Sequence, residues 1–253
     1  MRNIKLILAY DGTNYFGWQS QKNVSLPHKQ STVQAEIEAA LHRIHSHPVK
    51  IIGSGRTDSG VHAAGQAANF HTDIESMKPE SFVPALNSIL PKDIRILKAE
   101  EVSPNFNARF DACKRTYRYF FISGRQLLPH EYRYAVYIRN FPPLELLNSY
   151  SRILTGECDC TIFSCAGDKS LSRTRYIYNA IFFPQNDKVI FEISANAFLW
   201  KMVRSIAGTF IHYGRQGISP QQMREIIGSK NRSLAGPTLP PNGLFLWDVK
   251  FYR

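Results

Sequence analysis

Arg56 and Asp58 form a charged pair within residues 52–70, a stretch that concentrates flexible and reactive residues and marks the seat of chemistry. Gly53, Gly55 and Gly60 tolerate backbone angles and close approaches that other residues resist, so the loop can press against a ligand while presenting the guanidinium and the carboxylate. In an extended segment residues two apart point to the same side, so Arg56 and Asp58 both face a substrate there. The plainer alternative is a turn in which Asp58 bonds its own backbone.

Glycine-rich loops ahead of a structured element often cradle nucleotides, but this one fails those patterns. Gly55 and Gly60 have the spacing of a Walker A pair, yet Val61 and His62 stand where Lys and Ser or Thr are required. Asp58 follows Gly53-Ser54-Gly55 where a dinucleotide fingerprint needs glycine, and Ser59 lacks the upstream glycine of a serine-nucleophile elbow.

A residue far downstream favours the chemical reading of Asp58. Arg204 lies at helical spacing with Trp200, Ala207, Gly208 and Ile211, an otherwise apolar face, while Lys201, Ser205 and His212 fall on the wet side. A guanidinium is costly to bury without a carboxylate. Either its stem lies on the core with the head in water, or it orients an active-site acid and keeps it ionised, for which Asp58 is the natural candidate.

Tyr117 belongs to the aromatic and basic run 114–121. Alternation puts Arg115, Tyr117, Tyr119 and Phe121 on one side and Thr116, Arg118, Phe120 and Ile122 on the other; taken singly, a strand tyrosine reads as packing. Cys158, Cys160 and Cys165 have too few neighbouring ligands for a zinc site, so no metal is expected. His62 and His71 flank a strand and read as structural or loop contacts.

The elements that must position these residues follow from periodicity and punctuation. Residues 3–10 alternate as a strand and stop at the turn signal Asp11-Gly12-Thr13-Asn14, and aromatics 15–18 follow in a loop. Residues 20–29 read as a mobile polar piece. Ser31 and Thr32 cap a helix carrying Ile37, Ala40, Leu41 and Ile44, which ends near His47-Pro48. Strands at 49–52 and 65–72 flank the glycine-rich loop, a helix spans 79–90, and a strand spans 94–101. That order resembles the ferredoxin-like plan.

Residues 103–106 mark the crossover, which divides the chain into lobes 1–105 and 106–253. In the second lobe we read a strand at 114–123, a helix at 142–154, and a loop at 156–172. A hairpin over 173–184 and 188–195 turns at Gln185-Asn186-Asp187. Helices over 197–213 and 220–227 and a last strand over 244–252 complete it. The fold class is α+β, two ferredoxin-like lobes around a largely antiparallel sheet with the active-site cleft between them.

Composition sets the partner. The chain has 253 residues, with 31 Lys and Arg against 20 Asp and Glu, a formal net charge of +11. Interleaving of that charge with Tyr and Phe suits phosphates and unstacked bases together, whereas a merely basic soluble protein needs no such mixture. No uninterrupted run of about eighteen apolar residues is present, and the charged start leads into a strand rather than a signal peptide. Four cysteines make no disulfide framework in a chain this long, and a cytoplasmic protein is expected.

Together the motifs carry a resemblance. Gly55-Arg56-Thr57-Asp58-Ser59-Gly60-Val61-His62-Ala63 resembles the active-site motif of the TruA-type tRNA pseudouridine synthases. Tyr10-Asp11-Gly12 with Phe16-Gly17-Trp18-Gln19, Asn105 to Phe110, Arg115 to Tyr119, and Asn196-Ala197-Phe198 with Met202 to Gly208 follow in that family's order. The resemblance implies an enzyme that isomerises uridine in the tRNA anticodon stem-loop, without metal or organic cofactor, as a homodimer. It implies that Asp58 is the nucleophile, that Arg56 helps extrude and hold the target nucleotide, that Tyr117 stacks on its base and assists proton transfer, and that Arg204 pairs with Asp58. His62 and Arg118 join Arg56 and Tyr117 as substrate-binding residues. Ser59 stands where many members have Ala, and the 156–172 region is less family-like. The rival readings are a catalytically silent RNA-binding module on the same scaffold and a nucleotide-phosphate enzyme using the glycine loop.

Overall fold

The structure is a computed structural model that describes residues 1–19, 31–168 and 170–251. The stretch 20–29, expected to be mobile, lies outside the described residues, as does Tyr252 of the expected last strand. The chain divides into two compact units, Met1–Cys113 together with the chain from Phe245 onward, and Lys114–Leu244.

In the first unit, β1 (Arg2–Tyr10) buries Ile4, Leu6, Leu8 and Tyr10 at every second position, as a strand with one face on a core must. Helix α1 (Val33–His45) starts where the Thr32 hydroxyl accepts the Ala35 N–H at 3.3 Å. Its buried stripe is Val33, Ile37, Ala40, Leu41 and His45, so His45 takes the place expected of Ile44. One ring nitrogen of His45 meets the Leu41 carbonyl and the other the Thr72 hydroxyl, each at 2.8 Å, which makes burial of the imidazole tolerable.

Strands β2 (Ile51–Gly53) and β3 (His62–Thr72) follow, then α2 (Phe82–Ile89), preceded by a single 3₁₀ turn at Pro79–Ser81, and β4 (Ile94–Val102). Phe82 and Leu86 of α2 are fully buried, contributing about 2–3 kcal/mol each. Strand β1 is antiparallel to both β3 and β4, and β2 is antiparallel to β3, giving the order β4-β1-β3-β2 of a ferredoxin-like layer.

In the second unit, β5 (Ala112–Ile122) leads through the two-residue β6 (Val136–Tyr137) to α3 (Leu144–Leu154), β7 (Gly156–Asp159), β8 (Thr174–Gln185), β9 (Lys188–Ala195), α4 (Met202–Gln216) and α5 (Pro220–Gly228). Antiparallel pairing runs β5-β9-β8-β7, with β6 parallel to β5. Asn186 turns the β8–β9 hairpin at φ 55°, a left-handed angle asparagine tolerates. The Asn148 side chain of α3 bonds both backbone groups of Phe182, covering the part of β8 that lies beyond β7. The α+β class and the largely antiparallel pairing match the expectation.

Five differences separate the structure from the expected elements. Residues 106–113 stay with the first unit because the Phe106 carbonyl accepts the Asn3 and Asn69 amides, at 2.8 and 3.3 Å, and Ala108 N–H donates to Asn69 at 2.8 Å. Strand β10 (Leu244–Phe251), expected in the second lobe, pairs parallel with β3, Phe245 opposite His62 and Leu246 opposite Ala63. Residues 156–159, read as loop, form β7 because β8 offers them an edge. Helix α4 begins at Met202, five residues later than expected, because Lys201 adopts φ 59°; Trp200 therefore lies ahead of the helix. Ser205, expected on the wet side, is fully buried and accepts from Arg232 at 2.9 Å. No helix among the described residues is long and apolar enough to cross a membrane.

Candidate active site

The Asp58 loop rests on the turn that follows β1. Thr57 is buried and its hydroxyl meets the Tyr10 phenol at 2.9 Å, while on either side of it Arg56 is exposed and Asp58 half-buried. Burial pushes the Tyr10 phenol well up, so it stays neutral and serves as a hydrogen-bond anchor.

Backbone contacts hold the loop on both flanks of Asp58. The Thr57 carbonyl accepts Trp18 N–H at 3.1 Å, and the Tyr15 carbonyl accepts Gly60 N–H at 3.3 Å and the Ser59 hydroxyl at 3.2 Å. Gly17, at φ 80°, lies so close that a β-carbon there would overlap the Thr57 carbonyl oxygen and fall 2.9 Å from the Asp58 carbonyl carbon. Gln66 of β3 clamps the loop entrance: its oxygen accepts Ser54 Oγ–H at 2.7 Å and Gly55 N–H at 3.3 Å, and its amide donates to the Gly55 carbonyl at 2.8 Å. Asp58 also bonds locally, its carbonyl accepting Val61 N–H at 3.1 Å. The turn at this block is therefore closed by main-chain atoms.

The Arg56 pKa is lowered, first by partial burial and then by the positive charge of Arg109. Two guanidinium groups within electrostatic reach of each other suit a polyanion more than a single carboxylate. Arg109 stands beside Phe110, 5.7 Å from its ring centre, and Phe110 is 78% exposed. Both project from a turn in which Asn107 Oδ1 accepts the Arg109 and Phe110 amides at 3.0 and 3.3 Å.

His62 is fully buried, its ring stacked on Phe245 at 4.6 Å, with Nδ1 accepting Gly12 N–H at 3.0 Å. The same nitrogen lies 3.1 Å from Asp11 Oδ1, but with its lone pair taken by the amide it has no proton to give the carboxylate. The geometry makes His62 a support for the turn beneath the Asp58 loop; its expected substrate contact does not fit a ring with no exposed surface.

Tyr117, Arg118 and Arg204 lie in the second unit. The Tyr117 ring is largely buried, edge-on to Phe198 at 5.0 Å and 83°. Arg118 pairs with Glu192 across the β5–β9 ladder at 2.7 Å, so part of its charge is already matched. Arg204 is half-buried, with Nε donating to the Leu239 carbonyl at 2.7 Å. Next to it the Tyr119 phenol donates to the Pro240 carbonyl, and burial pushes that phenol up against the opposing effect of the Arg204 charge. The small residues expected on the Arg204 face make room for this segment: a β-carbon on Gly208 would collide with the Pro237 carbonyl.

Sequence reasoning gave no role to Tyr10, Gln66, Gly17 or Arg109, although Tyr10, Gly17 and Arg109 stand in the family blocks. Gln66 carried a signal, an amide among the small apolar residues of a strand, whereas the parts played by Tyr10 and Gly17 follow only from the chain folding back. Among the described residues, no group of three or more His, Cys, Asp or Glu side chains is arranged to hold a metal ion.

Comparison with known proteins adds an independent line. A sequence profile of a family described as tRNA pseudouridine synthase matches residues 6–111 and 151–252. The chain is 54% identical over 250 residues to a tRNA pseudouridine synthase A of Treponema denticola, covering 99% of this chain and 93% of that one. It is 42% identical to one of an Exiguobacterium species, covering 100% and 99%, and 40% identical to one of Borrelia hermsii over the whole of both chains. A solved Cbf5-Nop10-Gar1 complex aligns at TM-score 0.33 and 10% identity over 81% of this chain and 53% of that chain, too remote to bear on the fold.

Proposed function

The chain belongs to the tRNA pseudouridine synthase family, and from that premise we propose that it isomerises uridines of the tRNA anticodon stem-loop to pseudouridine, with Asp58 as nucleophile. The observation that carries this reading is the presentation of Asp58. Thr57 is tied inward to Tyr10, and the backbone on either side is held by the 15–18 turn, so the half-buried Asp58 and the exposed Arg56 sit on a loop whose backbone is fixed.

The reaction exchanges the N1–C1′ glycosidic bond for a C5–C1′ bond; a proton leaves C5 and N1 ends protonated. Substrate and product have the same atoms and oxidation level, so the balance needs no oxidant, reductant or second substrate. Attack at ribose C1′, addition to the base and assistance of a glycal intermediate all require the ionised carboxylate. A uridine in a folded stem-loop must be unstacked first, and Arg56, with Arg109 near it, supplies phosphate-binding charge for the extruded nucleotide. Tyr117 as base platform and Arg204 as the cation that keeps Asp58 ionised rest on their positions in the family motifs.

Asp58→Asn keeps the size and polarity of the side chain and removes its charge. It abolishes pseudouridine formation on unmodified tRNA transcripts assayed without ATP or metal, while tRNA retention stays within a few-fold. Turnover by the variant rules Asp58 out as nucleophile. The tRNA substrate supports a cytoplasmic site of action, and the homodimer implied by the family resemblance is tested by sedimentation of the purified protein.

A further inference from the structure

Trp200 is 48% exposed, yet its setting is built with care. Its main-chain N–H donates to Asp168 at 2.5 Å. The Asp168 side chain is almost wholly buried and forms an ion pair with Arg173 at 3.0 Å, while the same arginine donates to the Asp168 carbonyl at 3.0 Å. Gly167 packs against the indole, where a β-carbon would approach the ring to 3.2 Å. Lys201 adopts a left-handed backbone, and its ammonium rests 4.6 Å from the indole centre. Phe198, two residues earlier, is the ring that meets Tyr117.

A buried carboxylate and a left-handed lysine both cost free energy, and here they fix a large aromatic surface that remains in solvent. Resting on the tRNA-modifying activity above, we propose that Trp200 and Lys201 form a nucleotide-binding ledge. An unpaired base of the tRNA, neighbouring the one that Tyr117 serves, stacks on the indole in the place the Lys201 ammonium holds in the free protein, and Lys201 moves off the ring to take its phosphate. The occupant is RNA rather than protein because the exposed ring comes with a cation on a chain of net charge +11, the pairing of π-face and positive charge that single-stranded nucleic acid needs.

Stacking on one aromatic side chain corresponds to about 5- to 150-fold in affinity. Trp200→Ala therefore raises KM for an unmodified tRNA transcript by a factor in that range, with the larger part of the effect on KM rather than kcat; Trp200→Phe, which keeps a ring, restores most of it. Intrinsic fluorescence gives a readout independent of turnover. A single-stranded oligouridylate quenches the wild-type protein, and the quench is lost in Trp200→Phe, which retains Trp18 and Trp247. Should Trp200→Ala fail to fold, Trp200→Phe and Lys201→Gln carry the test, the latter lowering the slope of log Kd against log salt by about 0.7. Unchanged KM in Trp200→Ala together with an unchanged quench in Trp200→Phe overturns the ledge, as does a loss of self-association with KM intact, which assigns the ring to a second copy. A wild-type protein that is quenched but makes no pseudouridine overturns the activity and supports the ledge.

Discussion

Gly17 lies against the backbone of Thr57 at φ 80°, in a space that a single β-carbon would overfill. The residue that follows Thr57 is the proposed nucleophile, so the position of Asp58 depends on an atom missing from a residue forty-one places earlier.

Gly17→Ala must strain its own backbone or push the loop away. We expect a loss of about 2 kcal/mol in stability and a fall in kcat that exceeds any change in KM. Thermal unfolding and single-turnover kinetics measure the two, and a variant with wild-type kcat removes Gly17 from the positioning of Asp58.

The Tyr10–Thr57 hydrogen bond is buried at both ends. Tyr10→Phe leaves the Thr57 hydroxyl without this partner, costing about 1–2 kcal/mol, whereas Thr57→Val costs less because the Tyr10 phenol keeps its hydrogen bond with Gln66. The double variant recovers about 1 kcal/mol of the summed loss, a coupling read from denaturant unfolding of all four proteins.

Arg56 and Arg109 are expected to act on the same phosphates. Removing either one reduces the slope of log Kd against log salt for tRNA by about 0.7–0.9. An unchanged slope in Arg109→Ala separates it from the RNA-binding charge.

Arg125 bonds Glu131 through two N–H groups, at 2.8 and 2.7 Å, and with the Leu128 amide it holds that carboxyl at about 2, below its ordinary 4.5. Because the folded-state value is depressed, the stabilisation is present above about 4.5 and is lost as pH falls towards about 2. Glu131→Gln should therefore show a shallower decline in Tm than wild type between those limits. Parallel declines show that other carboxylates control acid unfolding.

Much of the scaffold was legible because its causes are local. Alternation of Ile4, Leu6 and Leu8 specifies a strand, Thr32 ahead of an apolar stripe specifies a helix start, and Ser219-Pro220 with Gln222 forms a capping box that opens α5. Where the reading slipped, the deciding partner was remote. The four residues of β7 have no pattern of their own and take their conformation from β8, and Lys201 delays α4 by adopting a backbone angle that its residue type does not announce.

The sequence by itself determined the elements, their order and the residue types of a candidate site, because helix caps, strand periods and a Gly-Arg-Thr-Asp block are properties of a few consecutive residues. Only the tertiary structure decided that the last strand returns to pair with β3, that His62 supports the turn from within the core, and that Tyr10, Gly17 and Gln66 hold the Asp58 loop. Those are close approaches between segments distant in the chain, and no local pattern encodes which backbone atom a glycine will come to touch.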